Sequence, residues 1–91
     1  MTAETLQAAI ARAPGPVKAA IPVHFAGPSA DMPALSEVAS KYGMTLIEDA
    51  AHAIGTQTPF GAAGAGRHSA MTCFSFHPVK TITTGEGGAI T

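Results

Sequence analysis

The stretch VKAAIPVHFAGPSADMPALSEVASKYGMTLIED, Val17 to Asp49, decides the fold. Val17 to Phe25 is an apolar run in which Ala19, Ala20, Ile21 and Val23 read as a buried strand. Pro22 sits inside that run without the N–H a ladder needs, so the strand is expected to be shorter than the pattern or to sit beside a bulge. Ala26-Gly27-Pro28-Ser29 has the composition of a turn. From about Asp31 to Tyr42 the residues Leu35, Val38, Ala39 and Tyr42 recur at helical spacing and make an inner face. Ser29 or Asp31 can cap that helix, Pro33 suits its first turn, and Gly43 stands where a helix ends. Met44 to Asp49 is a second strand that runs into two acids, Glu48 and Asp49. Strand, helix, glycine and strand in that order form a right-handed βαβ crossover, which requires a parallel pair. Ligand sites in open α/β sheets lie at the carboxyl ends of strands. Those ends carry His24 to Gly27 and Glu48 to His52, so both polar clusters fall on one edge of the sheet.

Upstream, Thr2 to Ala13 reads as a helix with Leu6 and Ile10 in its apolar stripe, a threonine cap, and Pro14-Gly15-Pro16 as its stop. Downstream, Ala50 to Gly66 is a glycine-rich loop with a short helical turn at Ala50–Ile54. Ser69 to Phe76 is a third strand, His77 to Glu86 a threonine-rich loop carrying Lys80, and Gly87 to Thr91 the start of another strand.

Composition narrows the function. The 91 residues allow one small domain at most. Hydrophobic residues make up 46% and charged residues 12%, about half the usual charged share of roughly 25%, so the chain reads like the inside of a larger protein. Such a composition excludes a disordered segment. Five Lys and Arg against six Asp and Glu exclude a basic nucleic-acid arm. A single cysteine, Cys73, allows no internal disulfide and fits a reducing compartment. No run approaches the roughly 18 apolar residues of a membrane span, and Thr2, Glu4, Thr5 and Gln7 break up any signal-peptide core. The expectation is a cytoplasmic protein without nucleic-acid or membrane partners.

Asp49 with His52, Ser75, and Lys80 are the residues that can carry chemistry. Asp49 follows Leu46-Ile47, so its carboxylate is partly desolvated and needs a cationic or hydrogen-bonding partner. A lysine near apolar walls can become a nucleophilic amine. Ser75 ends a strand, where its hydroxyl and the following amides can grip an anion such as a phosphate. One cofactor suits all three. Pyridoxal phosphate needs a lysine for its aldehyde, a carboxylate to keep its ring nitrogen protonated, and donors for its phosphate.

The segments PVHFAG (Pro22 to Gly27), EDAAHAIG (Glu48 to Gly55) and SFHPVKTITTGEGGA (Ser75 to Ala89) resemble the DegT/DnrJ/EryC1/StrS family of pyridoxal-phosphate sugar aminotransferases. Within it they look most like the UDP-4-amino-4,6-dideoxy-N-acetyl-β-L-altrosamine transaminases of pseudaminic acid synthesis. The resemblance implies an α/β fold, a fragment of the large domain of a fold-type-I enzyme. Residues 1–91 would be part of that domain, with its N-terminal part and the C-terminal small domain missing. It implies Lys80 as the Schiff-base lysine, Asp49 as the pyridinium partner and Ser75 as the phosphate-binding serine. It places His52 near the cofactor's phenolic oxygen or ring face, where the family often has Gln, and His24 near the ring at the adjacent strand end. It further implies a nucleotide-linked 4-keto-6-deoxy sugar as substrate, L-glutamate as amino donor, and a homodimeric parent.

Plainer readings stand beside these. Lys80 alone would be a solvated loop lysine, Ser75 a strand hydroxyl bonded to its neighbours, and Asp49 an N-cap for Ala50–Ile54. His24, Asp49 and His52 could instead bind a metal, which leaves Lys80 and the Ser75 segment unexplained, so no metal is expected. Gly61, Gly64 and Gly66 do not follow a strand and open a helix, so they read as flexible loop rather than a nucleotide fingerprint. Cys73 reads as a small core residue. The family's sugar dehydratases carry His in place of the lysine, which ranks them below transaminases here. A truncated chain that binds no cofactor is the non-enzymatic alternative.

Overall fold

Two threonines start the molecule. In the computed structural model, which describes residues 1–26 and 28–91, the Thr2 hydroxyl accepts from the Thr5 amide and the Thr5 hydroxyl accepts from the Thr2 amide. This reciprocal cap opens α1 (Ala3–Arg12), and Ala13 leaves it in extended conformation ahead of Pro14. Gly27, read above as part of a turn and of the PVHFAG segment, lies outside the described residues.

The expected strand over Val17 to Phe25 shrinks to β1 (Ala19–Ala20), followed by one isolated bridge between Val23 and Asp49. β1 pairs in parallel with β2 (Thr45–Asp49), Ala19 opposite Thr45 and Ala20 opposite Leu46. Val23 opposite Asp49 keeps that same offset, so Pro22 interrupts the ladder without shifting it and no bulge forms. The Pro22 carbonyl still accepts from the Asp49 amide, and His24 N–H donates to the Asp49 carbonyl. Only the proline's missing N–H is lost.

Between the two strands runs α2 (Met32–Tyr42). Asp31 caps it by accepting from the Ala34 amide, and Gly43 stops it in the left-handed region at φ 63°, where a side chain is disfavoured. Met32, Leu35, Val38 and Ala39 face the sheet. Tyr42, expected on the same face, is exposed, with the Lys41 ammonium 5.5 Å from its ring centre. Helical angle fixes a side chain's direction, but neighbours decide whether it is covered.

Two corrections follow β2. The segment Ala50–Ile54 is not helical but a pair of tight turns, closed by Ala53 N–H to Ala50 O and Thr56 N–H to Ala53 O. The glycine-rich stretch beyond it contains an antiparallel hairpin, β3 (Gln57–Thr58) and β4 (Gly61–Ala62), rather than a flexible loop. Thr58 makes the hairpin close: its hydroxyl accepts from the Phe60 amide and donates to the Gly61 carbonyl at 2.7 Å.

β5 (Met71–Ser75) pairs in parallel with β2, and β6 (Gly88–Ile90) returns antiparallel to β5. The sheet order is β1-β2-β5-β6. A parallel return needs a crossover, usually through a helix. The segment between β5 and β6 instead folds back on its own base, where Phe76 O accepts from Thr84 N–H and the Thr83 hydroxyl, and Phe76 N–H donates to Gly87 O. Both helices supply the core on one face of the sheet, Leu6, Met32, Leu35, Val38 and Ala39 against Ala20, Met44 and Leu46. The other face is open, and Ile21, Val23, Phe25, Met71 and Ile90 on it are exposed.

Candidate active site

Alternation along the strands sorts the polar residues into two sets. Along Ile21 to Phe25, Pro22 and His24 are buried while Ile21, Val23 and Phe25 are exposed. In β2, Leu46 and Glu48 are buried on the helix side, while Ile47 and Asp49 point the other way and are half-buried. Val23, Asp49 and Cys73 are paired neighbours, so they share a row on the open face, and Ser75 lies on that face roughly 7 Å further along β5.

On the helix side, Glu48 is 4% exposed and forms a hub. Its carboxylate takes hydrogen bonds from His24 Nε2 at 2.8 Å, the Gly64 amide at 3.2 Å, the Thr72 hydroxyl at 3.4 Å and the Ser69 hydroxyl. Burial pushes the Glu48 carboxyl up, but the hydrogen bonds from Ser69, His24 and Gly64 outweigh it, and the group ends below the usual 4.5. Gly64 approaches so closely that a Cβ there would collide with the Phe74 ring, and its φ of 77° disfavours a side chain in any case. His24 is fixed from both ends. Its Nδ1 accepts from the Ala30 amide at 3.1 Å, with the Ser29 hydroxyl at the same distance. A backbone amide can only donate, so Nδ1 carries no hydrogen and Nε2–H is the donor to Glu48.

On the open face, His52 Nε2 lies 2.9 Å from Lys80 Nζ. The His52 ring rests beside Phe25, centroids 5.3 Å apart and planes inclined by 34°. Asp49 Oδ1 accepts from the Ala51 amide at 3.0 Å, which fixes the carboxylate by a turn rather than by the expected helix cap. The Ser75 hydroxyl accepts from the His77 amide at 3.4 Å. The lysine loop is shaped by His77, whose carbonyl accepts from Lys80 N–H at 2.9 Å. Cys73 is half-buried.

The structure thus brings Asp49, His52, Ser75 and Lys80 to the open face, and His24 to the other. His24 is 1% exposed with both ring nitrogens engaged, so it clamps Glu48 from the helix side of the sheet. For the same reason His24, Asp49 and His52 do not converge as metal ligands. Sequence reasoning passed over Glu48 and Phe25. The alternation in TLIED contains the signal for Glu48, since it puts a carboxylate on the face that Leu46 buries, where it must find donors. Phe25 had no such signal, because its partner is 27 positions away in the chain.

An amine, a carboxylate and a hydroxyl thus lie at the carboxyl edge of a mainly parallel α/β sheet, the edge where open α/β sheets bind ligands. The DegT/DnrJ/EryC1/StrS aminotransferase family pattern matches residues 1–91, and the chain belongs to that family. Solved structures agree in fold. A 3-amino-5-hydroxybenzoic acid synthase is 38% identical with a TM-score of 0.84, over 99% of this chain and 22% of that one. Helicobacter pylori PseC, an aminotransferase of pseudaminic acid biosynthesis, is 33% identical with a TM-score of 0.74, over 80% of this chain and 19% of that one. NtdA from Bacillus subtilis, with bound PMP, is 33% identical with a TM-score of 0.68, over 81% and 16%. The fold is that of the fold-type-I aminotransferases, and the chain spans about a fifth of the length of the first two.

Proposed function

We propose that this chain is the cofactor-binding segment of a pyridoxal-phosphate aminotransferase. Its substrate would be a nucleotide-linked 4-keto-6-deoxy sugar, with L-glutamate as donor, as in pseudaminic-acid-type pathways. The observation that carries the reading is the gathering of Lys80, His52, Asp49 and Ser75 on one open face at the carboxyl edge of β2 and β5. The donor set fits the group: an amine for an aldehyde, an acid for a pyridine nitrogen, and a hydroxyl with a neighbouring amide for a phosphate. When bound, pyridoxal phosphate supplies an electron sink for the carbanion left when the donor's α-proton departs.

The residues of this chain then have separate tasks. Lys80 would hold the aldehyde carbon, and its free amine would move the proton at the donor's α-carbon, a task for which positioned acid–base groups contribute typically about 10²–10⁴-fold. Asp49 keeps the ring nitrogen protonated, and its own orientation is held by the Ala51 amide. The Ser75 hydroxyl donates to the phosphate. In the same reading the parent enzyme is a homodimer and works in the cytoplasm. Among the described residues no helix is long and apolar enough to cross a membrane.

A second reading is favoured by the exposure of the face itself: the 91-residue chain alone holds the cofactor weakly or not at all. One titration separates the two. Pyridoxal phosphate added to the chain should give the visible absorption band of a lysine-bound cofactor, lost in Lys80→Ala. A band of equal strength in Lys80→Ala would place the cofactor on another amine and remove Lys80 from the site. No band in either chain would leave the second reading.

A further inference from the structure

Pro22 leaves the segment that follows it with few ties to the sheet. Among the described residues, two backbone hydrogen bonds join it to β2 from Pro22 onward. The Asp49 amide donates to the Pro22 carbonyl at 2.9 Å, and the His24 amide donates to the Asp49 carbonyl at 3.0 Å. Both run through Asp49. On the helix side the same two segments are joined again, by side chains. His24 Nε2–H donates to Glu48 at 2.8 Å, and both residues are buried. Glu48 is tied onward by the Gly64 amide at 3.2 Å and by the Thr72 hydroxyl of β5 at 3.4 Å. A buried carboxylate is a poor source of stability, because apolar residues of similar volume often fill such a place without loss. What a satisfied network of directional bonds adds is one fixed arrangement.

Successive side chains of an extended segment point to opposite faces. His24 and Glu48, fixed behind the sheet, therefore set their immediate neighbours Phe25 and Asp49 in front of it. Phe25 in turn lies beside the His52 ring, with centroids 5.3 Å apart. We propose that the His24–Glu48 pair positions the open-face site: it takes over where Pro22 breaks the ladder and so holds Asp49 and, through Phe25, His52. Both residues act through the backbone, so they are positioning residues and not catalytic ones. That the held positions serve a cofactor rests on the function proposed above.

The two links of the His24 ring can be separated. Its Nδ1 accepts from the Ala30 amide at 3.1 Å, while its Nε2–H reaches Glu48. His24→Asn keeps an acceptor near the place of Nδ1 but has no donor long enough for Glu48, whereas His24→Gln keeps a donor near the place of Nε2. The test is amide hydrogen exchange with NMR on the 91-residue chain, free of pyridoxal phosphate. In His24→Asn the protection of the amides at positions 24 and 49 should fall at least about tenfold, the size expected when a hydrogen bond to a charged group is lost. The Thr45 amide, which donates to the Lys18 carbonyl ahead of Pro22, and the Val38 amide within α2 should keep theirs. The nuclear Overhauser effect between the Phe25 and His52 rings should weaken in the same variant. In His24→Gln every reading should stay at the native value. Native protection in His24→Asn, or an equal loss in His24→Gln, would overturn the proposal. So would a loss shared by Thr45 and Val38, or a His24→Asn chain that does not fold, because the pair would then serve overall stability alone. The visible band of pyridoxal phosphate is a separate measurement, so the positioning role and the cofactor reading fail independently.

Discussion

Glu48 and Asp49 are adjacent acids with opposite fates. Asp49 lies half-buried on the open face, whereas Glu48 is buried and surrounded by donors from His24, Gly64, Ser69 and Thr72. Each buried donor left unpaired costs about 1–3 kcal/mol, so Glu48→Ala should destabilise the chain by roughly 3 kcal/mol or more, read as a lower urea midpoint. The same hub sets an acid limit. The folded Glu48 carboxyl lies below its ordinary 4.5, so its contribution is complete above that pH and is lost as the pH falls through the lower folded value. Glu48→Gln should flatten this part of the acid-unfolding curve. Equal slopes for both chains below pH 4.5 would remove Glu48 from that role.

Among the elements, α2 is the one on which the core depends. Leu35 is fully buried between α1, α2 and the sheet, so Leu35→Ala should cost about 2–5 kcal/mol. Asp31→Ala removes only a cap and should cost about 1 kcal/mol. Thermal melts of the two variants should preserve that ranking, and a reversed order would mean that α2 is held by its cap rather than by its packing. The lysine loop behaves differently. Its threonines bond to its own backbone, so they fix the path that presents Lys80 rather than adding chemistry.

At the scale of the molecule, one face of the sheet is finished and the other is not. Two helices cover the first, while Ile21, Val23, Phe25, Met71 and Ile90 lie exposed on the second. An apolar face of this kind is an association surface. The purified chain should bind the dye ANS and sediment as larger species with rising concentration. Phe25→Ser should reduce both effects, and a strictly monomeric chain with no dye binding would mean the face is covered in solution.

What the sequence determined by itself was local. The helix limits were legible because Thr2, Asp31 and Gly43 carry their capping function in their own side chains or in the lack of one. The βαβ order was legible because an amphipathic helix between two apolar runs calls for a parallel pair, which β1 and β2 form. Pro22 announced a broken strand, and the segments around Asp49 and Lys80 announced a cofactor chemistry. Pairings between distant residues were left to the tertiary structure. The hairpin at Gln57–Ala62, the antiparallel return of β6, the clamp of His24 on Glu48 and the approach of His52 to Lys80 all join positions whose partner no local pattern names. A capping or turn preference is a property of a few adjacent residues, whereas a contact depends on where the whole backbone carries both of its ends.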